Sequence, residues 1–536
     1  MNSVNPQNPT RPSKRLRPKL RCRRSTVHKP NGVVTERVQK VGPERFGIVC
    51  CDPAKHRSEW FLADYFGNIL ISPQTVEHDR GHLDAAVAQV RAAVKQFDVG
   101  DLIVSVERTG QHHLHFKSAF AAAGFETRIV HPFAVRQARL PVAPGNKNDH
   151  EDLFAQQRVV VSGLGLVEPE LDPLYSSLRI LVRHRRDLVR ENSARCCQIK
   201  EALQLCMPGY APLFANLWAH GAALLIARAT GSPQAVLNKG KLGLAKELCE
   251  HKVVVQKQTL DKILAWAADA PAPTREAAFY QRVWTDLDKH RQYQEATIFS
   301  LERDIARQFV QTPYVLLMSI PGINVISAAE LAGEMGPMEH YANANAITGR
   351  AGLFPSRYQS DQTDLADGPL VRQCNRRIRG ALMQMADNVS RLNDFFRGRA
   401  ELLRQKKTDE RAIKVKAAKR LSRLIYACVA GRQILKHECC ATPDAVLEKL
   451  QAFHLNHSTD SRQLLDDLEA ALQQLPQTAY PHEEQSLAAC LARQSRRRKG
   501  PTHLGEILPA ILARLCPPQT SPNQTLSQSN EDTALN

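Results

Sequence analysis

The sequence predicts an α/β domain with a mixed sheet, followed by a long region that is helical almost throughout. Residues 46–161 contain apolar runs of strand length, first as a hairpin and then alternating with helical patterns. From about residue 170 the apolar positions follow helical spacing, with long charged stretches at 179–201 and 279–309. No apolar run approaches the ~18 to 20 residues that a membrane-spanning helix needs. The predicted fold class is therefore α/β plus all-α.

Residues 1–44 are predicted to form a disordered basic arm, because the segment is rich in Pro and Arg and almost without aromatic side chains. No apolar segment typical of a secretory signal follows the N-terminus. The 13 cysteines occur singly or as adjacent pairs, without any CxxC, which indicates reduced thiols rather than disulfides or a zinc ribbon. A cytoplasmic location is expected.

The α/β domain is predicted to span residues 45–165. Its first strand is a continuous apolar run, and Gly67 and Asn68 provide the turn of the hairpin that follows. The predicted elements are strands at 46–51, 59–64 and 69–71, a helix at 82–97, a strand at 102–106, a helix at 111–123, a strand at 127–130, a loop, and a helix at 148–161.

Three further segments are predicted. Residues 166–312 form a helical arm, a bundle or coiled coil, with breaks at 208–209 and 271–273 where Pro and Gly interrupt the helical pattern. Residues 313–436 form a compact helical unit with one Gly-rich loop. Residues 437–536 form an extension of weaker helices that ends in a partly disordered tail rich in Ser, Asn, Gln and Pro.

Positive charge is concentrated in two blocks of the chain, whose net charge is +18. Residues 1–45 hold 12 Lys and Arg against 2 Asp and Glu, and residues 372–423 hold 16 against 5. Such blocks favour a polyanionic partner, because each neutralised phosphate releases condensed counterions. The alternative is a solubilising face together with a localisation tail. Nucleic acid is the predicted partner, and no membrane partner is expected.

Four acidic residues stand where an α/β fold collects its chemistry. Asp52 and Glu107 end two strands, while Asp149 and Asp152 are three residues apart and project from one face of a helix. Carboxylates in such a group suit Mg²⁺ and phosphate-ester chemistry, although acids also end strands and cap helices without any further role. Periodicity alone leaves three other acids open: Asp64, Asp101 and Glu151.

The segments that carry these acids resemble the three signatures of a DEDD transposase family, insertion-sequence proteins related to Piv-type DNA invertases. The segments are CDPAK at 51–55, VERTG at 106–110 and KNDHED at 147–152. The resemblance implies a RuvC-like, RNase H-type domain. The family usually has Thr at the position of Asn148 and Ala at that of Leu153, and neither change removes a ligand. The implied metal ligands are Asp52, Glu107, Asp149 and Asp152.

The segments GLFPSRYQS at 352–360 and RQCNRRIR at 372–379 resemble the C-terminal domain of the same family. In that domain a serine after the Gly-x-x-Pro stretch is the nucleophile, which implies this role for Ser360. Ser356 is the alternative, but it follows the proline directly. The resemblance covers roughly residues 46–435.

The match departs from the family around the serine. Asp361 stands where the family usually has Gly, and residues 372–375 read RQCN in place of Lys-x-Gly-Asn. A serine hydroxyl needs a base or a metal ion to activate it, and the nearest histidine, His340, is expected at the surface. Carboxylate-bound Mg²⁺ is the expected activator.

Nucleic-acid contacts are predicted at two places in the helical unit. The turn SIPGI at 319–323 has the style of helix-hairpin-helix loops, whose backbone amides meet phosphate. Arg376 and Arg379 lie one helical turn apart, which suits a face that tracks a phosphate backbone, although a solvated helix surface has the same pattern. The predicted contacts are Arg372, Asn375, Arg376 and Arg379.

The implied function is that of an insertion-sequence transposase or site-specific recombinase. It would cut and rejoin DNA through a serine–phosphate intermediate with Mg²⁺, as a homo-oligomer (dimer or tetramer), and under the guidance of a structured RNA encoded by the element, as in characterised relatives. Two alternatives remain open. One is a metal-dependent nuclease or junction resolvase that uses only the four acids, and the other is a non-catalytic nucleic-acid-binding protein.

Overall fold

The computed structural model divides the chain into two compact units, residues 1–170 and residues 171–536. Each unit has its own hydrophobic core. The residues that the structure describes are 32–142, 144–168, 172–218, 221–360, 363–365 and 368–476.

A mixed five-stranded sheet forms the centre of the first unit, in the order β3-β2-β1-β4-β5. Strand β1 pairs antiparallel with β2 and parallel with β4, β2 pairs antiparallel with β3, and β4 pairs parallel with β5. This arrangement confirms the predicted α/β fold with a mixed sheet. The strands are β1 Phe46–Pro53, β2 Arg57–Asp64, β3 Ile69–Glu77, β4 Asp101–Glu107 and β5 Glu126–Val130.

Helices cover both faces of this sheet, which explains why β1 is apolar throughout rather than alternating. Val49 and Cys51 of β1 belong to one hydrophobic cluster, and Ile48 and Cys50 belong to another. Successive side chains of a strand point to opposite faces, so each face of β1 is buried against its own set of helices. The helices of this unit are α1 Thr35–Val41, α2 Arg80–Gln96, α3 His113–Ala122, α4 Pro132–Arg139 and α5 Asp149–Val161.

The described part of the predicted N-terminal arm is ordered, which corrects the prediction for residues 32–44. Val34 and Val38 are buried in the cluster that contains Ile48. Arg37 contacts Asp101 at 2.6 Å and also pairs with a second strand acid. Apolar burial and ion pairing therefore attach α1 to the sheet despite the basic composition of the segment. The rest of the predicted arm, residues 1–31, lies outside the described residues.

The second unit is almost entirely helical, as the fold class predicts. Its two longest helices, α6 and α10, pack along each other. Shorter helices surround Trp284, a buried residue of α10. The coiled-coil arrangement remains a prediction. The helices are α6 Pro173–Cys206, α7 Gly221–Thr230, α8 Pro233–Glu250, α9 Lys257–Asp269, α10 Ala277–Phe309, α11 Val325–Met335, α12 Ala344–Arg350, α13 Arg376–Leu392, α14 Asp394–Gln405, α15 Glu410–Ala430, α16 Asp444–Asn456 and α17 Ser461–Gln474.

Helices α16 and α17 share a core with the helices that precede them. Leu447, Leu450 and Leu468 are buried in the same cluster as Leu382 of α13 and Leu421 of α15. The residues after 437 are therefore part of the packed unit as far as residue 475. Within the described ranges, every helix is too short or too polar to cross a membrane.

Candidate active site

Two neighbouring parallel strands bring the first pair of acids to one edge of the sheet. The register of β1 on β4 places Cys51 beside Val106, and Asp52 and Glu107 are the residues that follow. The second pair comes from the first turn of α5, where Asp149 is the first helical residue. The side chain of Asn148 caps this helix by accepting a hydrogen bond of 2.8 Å from a backbone amide. Threonine, which the family usually has there, is also a favoured cap.

All four acids line a single cavity of about 740 Å³. A fifth acid, Glu59, also lines it, because Glu59 lies directly opposite Asp52 in the β1–β2 register. The sequence analysis did not single out Glu59, although the predicted hairpin contains it. Four basic side chains complete the charged lining: Arg57, Arg136, Arg139 and Lys147.

Burial and repulsion between like charges raise the pKa of the two acids at the strand ends. Burial, followed by the nearby charges of Asp149 and Asp152, raises the pKa of Asp52 to about 6. Burial and the charges of Asp52 and Asp152 raise the pKa of Glu107 to about 7. Lys147 opposes both shifts. The cavity therefore concentrates negative charge that an additional cation would stabilise.

Arg139 already neutralises one of the four acids. Its Nε atom lies 2.8 Å from a carboxylate oxygen of Asp152, and both side chains are almost buried, with 11% and 12% of their surface exposed. Its Nη1 atom donates a hydrogen bond of 2.9 Å to the carbonyl of Asn146. Among the described residues, no three Asp, Glu, His or Cys side chains stand close enough to hold a metal ion. The hard oxygen donors of the cavity suit Mg²⁺, and one of them is paired with Arg139.

The three other acids that the sequence left open serve elsewhere. Asp64 accepts two hydrogen bonds of 2.8 Å from Asn68 and so closes the β2–β3 turn. Asp101 pairs with Arg37, which holds the pKa of Asp101 below its usual value. Glu151 lies on α5 but does not line the cavity. The geometry therefore separates these acids from the four of the signatures.

The segment that contains the two candidate serines is a looped hairpin in the second unit. Ser360 is the last residue of strand β6 (Tyr358–Ser360) and lies opposite Thr363 in strand β7 (Thr363–Leu365). The hydroxyl of Ser356 donates a hydrogen bond of 3.0 Å to the carbonyl of Pro369 and so helps to close the base of the loop. Asp361, which stands where the family usually has Gly, lies outside the described residues.

Arg379 and Asn375 hold backbone atoms of the same region. The guanidinium of Arg379 donates hydrogen bonds to the carbonyls of Ala351 at 2.8 Å, Gly352 at 3.1 Å and Val371. The side chain of Asn375 caps α13 by accepting hydrogen bonds of 3.0 and 3.1 Å from two backbone amides. Arg379 therefore ties together the backbone on the two sides of the loop, and Asn375 starts the helix that follows it. Sequence spacing alone did not reveal either role.

Arg372 and Arg376 differ from Arg379 because both are exposed. Within the described part of the chain, neither forms an ion pair. They are free to meet a partner at the start of the basic block. His340, the histidine nearest to the serines in sequence, is exposed as expected.

The fold and the comparisons with known proteins agree on the class. The structure consists of an RNase H-like domain and a helical region. Residues 49–208 match the family model DEDD_Tnp_IS110, described as a transposase, and residues 314–401 match that of the transposase IS116/IS110/IS902 family. No match is found among curated proteins.

Both matches support the assignment of these segments to the IS110-type transposase family and an insertion-sequence transposase function. The matched families imply DNA as the partner and the cleavage and rejoining of DNA as the activity. DEDD transposases are generally metal-dependent.

Proposed function

We propose that this transposase cuts and rejoins DNA through a covalent serine–phosphate linkage. Ser360 is the nucleophile, and Asp52, Glu107, Asp149 and Asp152 are the ligands of Mg²⁺. The main support is that these four acids, which come from three separate segments, line one cavity together with basic side chains. Hard carboxylate oxygens are the donors that Mg²⁺ prefers.

The proposed step conserves the bond energy of the DNA backbone. The Oγ atom of Ser360 forms a bond to the phosphorus, and the bond from that phosphorus to a deoxyribose oxygen breaks. The hydroxyl loses its proton, the departing oxygen gains one, and the reverse reaction rejoins the strand. When bound, Mg²⁺ supplies polarisation of the phosphate. Arg379 holds together the backbone on the two sides of the loop that carries Ser360.

DNA binding is assigned to the basic block 372–423, in which Arg372 and Arg376 are exposed contacts to phosphate. Arg379, also predicted as a contact, acts on nucleic acid through the loop that it holds. Asn375, the fourth predicted contact, acts by capping the helix that carries Arg376 and Arg379. A structured RNA guide and a homo-oligomer, dimer or tetramer, complete the proposal. The number of basic residues in this block supports an additional polyanionic ligand.

Covalent trapping tests the nucleophile. Labelled element-end DNA is incubated with the chain, Mg²⁺ and RNA transcribed from the element, and the products are separated by denaturing electrophoresis. We expect a protein–DNA adduct with the wild type and with Ser356→Ala, and none with Ser360→Ala. Loss of the adduct in Ser356→Ala alone would show that Ser356, and not Ser360, is the nucleophile. Mg²⁺-dependent cleavage that persists in both variants would identify a nuclease that uses the acids alone.

The same assay tests the metal ligands with a matched pair on α5. Asp149→Asn removes one carboxylate charge from the cavity, and we expect the adduct to fall by at least about 100-fold, a loss of roughly 3 kcal/mol of transition-state stabilisation. Glu151→Gln removes the same charge two residues away and outside the cavity lining, and we expect full activity. Equal activity of the two variants would contradict the assignment of Asp149.

A further inference from the structure

A half-buried cation contacts the helix-hairpin-helix-like turn at 319–323. The ammonium group of Lys449, on α16, donates hydrogen bonds to the carbonyls of Met318 at 2.6 Å, Ile320 at 3.0 Å and Ile323 at 3.1 Å. These bonds use all three donors of the ammonium group. Three carbonyl dipoles that converge on one point repel each other unless a positive charge lies between them. Lys449 supplies that charge.

The backbone of the turn requires glycine at position 322. Gly322 has a φ of +94°, and a Cβ atom there would lie 2.9 Å from the Cα atom of Val389. The amide of Ile323 donates a hydrogen bond of 3.1 Å to the carbonyl of Ile320. Lys449 therefore holds the carbonyls of a turn whose backbone already requires glycine at one position.

The outer side of the turn offers unsatisfied donors at the start of α11. Asn324 and Ser327 form a capping box, which satisfies their own amides. The amides of Gly322, Val325 and Ile326 have no acceptor among the described residues. Free amides at a helix N-terminus favour an anion, because they donate hydrogen bonds and carry the positive end of the helix dipole.

A cavity at this turn has more basic than acidic residues in its lining. It has a volume of about 930 Å³, and Lys449, Gly322 and Asn324 all line it. Arginines of α6 also line it, and one of them, Arg185, pairs with Glu302 at 2.6 Å. The charged residues of the lining are Arg185, Arg186, Arg190, Lys449, Glu302 and Glu330, with His457 beside them.

We propose that the turn at 319–323 and the first amides of α11 bind a backbone phosphate of duplex DNA, and that Lys449 is the fixed cation that holds the turn in its binding shape. This inference rests on the proposed function, because DNA is the ligand. Lys449 is a positioning residue, since it acts through the carbonyls of the turn. It lies beyond the family match at 314–401, so the fold adds to the DNA-binding region a residue that the match does not cover.

The charge of Lys449 is present at neutral pH. Burial lowers the pKa of Lys449 to about 8, which is still above 7. A contact of this kind reads no base, so it should strengthen binding to every DNA sequence equally.

Two substitutions separate the charge from the packing of the side chain. Lys449→Met keeps most of the volume but removes the cation, and Lys289→Met removes one exposed cation from α10 as a matched control. With a short labelled DNA duplex, we expect Lys449→Met to lower affinity about tenfold and to reduce the slope of log affinity against log salt by about 1. The control should match the wild type. Absence of DNA binding by the wild type would contradict the proposed function instead.

Cation rescue makes the test specific. Lys449→Ala leaves space beside the three carbonyls, so potassium or methylammonium ions should restore its affinity, whereas tetramethylammonium at equal ionic strength should not. Wild-type binding should be indifferent to the choice of cation. Wild-type affinity of Lys449→Met, or a loss in Lys449→Ala that no cation restores, would overturn the inference. If the protein binds a duplex RNA and a duplex DNA with equal affinity, and the added cations restore both affinities equally in Lys449→Ala, the turn does not select DNA.

Discussion

Arg139 controls the electrostatic state of the carboxylate cavity. It is buried, it contacts Asp152 at 2.8 Å, and it lies on the short helix α4 that the sequence analysis interpreted as a loop. A positive side chain among acids stabilises them in the absence of metal and competes with a metal ion for the same oxygen atoms. Binding of Mg²⁺ by all four acids therefore requires Asp152 to exchange Arg139 for the metal.

Removal of this side chain should strengthen the response of the protein to Mg²⁺. In Arg139→Met the acids lose the positive charge that pairs with Asp152, so they repel each other more strongly and we expect Mg²⁺ to bind about tenfold more tightly. At saturating metal this adds about 1.4 kcal/mol of stabilisation, visible as a larger Mg²⁺-dependent rise of the melting temperature. Each rise is measured against the metal-free melting temperature of the same variant.

Arg136→Met is the control for this measurement. Arg136 lies on the same helix and lines the same cavity, but it is exposed and forms no ion pair within the described residues. Its Mg²⁺-dependent rise should equal that of the wild type. A rise in Arg139→Met no larger than in the control would show that Arg139 does not compete with the metal.

At the level of elements, the sequence predicts those whose periodicity is set by local burial. Strand β1 and helix α5 follow their apolar patterns, so the predicted positions of Asp52 and Asp149 agree with the structure. Helix α4 was not predicted, because it has only eight residues and its inward Arg139 reads as a polar break. Its Val135 is buried in the core, and its Arg139 pairs with Asp152, a residue of another helix. Long-range ion pairs of this kind leave no local pattern.

Helix α1 is another element that composition conceals. Its segment is basic, but Val34 and Val38 are buried against the sheet, with 2% and 8% of their surface exposed. The backbone before the helix is also attached, since the amide of Gly32 donates a hydrogen bond of 2.9 Å to the carbonyl of Gly163. Two buried valines outweigh the local excess of charge.

A pair of adjacent valines tests this attachment. Val34→Ala removes two buried methyl groups, and we expect it to lower the free energy of unfolding of the first unit by about 2 kcal/mol. Val33→Ala makes the same chemical change at a side chain that is 38% exposed, and should cost less than about 0.5 kcal/mol. Urea unfolding monitored by circular dichroism measures both. Equal and small effects would return residues 32–44 to the predicted flexible arm.

Across the whole molecule, function follows the distribution of charge. The excess of +18 is not spread evenly but concentrated in two blocks, and the second block begins beside the loop that carries Ser360. The sequence located this block correctly as a run of charge. It did not distinguish the arginines that meet solvent from Arg379, whose guanidinium is engaged by three backbone carbonyls. That distinction requires the folded loop.

Charge reversal at the two exposed arginines should therefore weaken DNA binding without disturbing the loop. For Arg372→Glu with Arg376→Glu, we expect a lower affinity for all DNA sequences and a salt slope reduced by about 2, because two phosphate contacts are lost. Lys246→Glu with Lys289→Glu is the matched control, since it changes the net charge equally at exposed positions of α8 and α10. Affinity measured by fluorescence anisotropy over a salt series separates the two pairs.

If both double variants lose the same affinity with the same slope, the overall field of the protein attracts DNA and the basic block is a solvated helix surface. A reduced slope in the first pair alone requires direct phosphate contacts at Arg372 and Arg376.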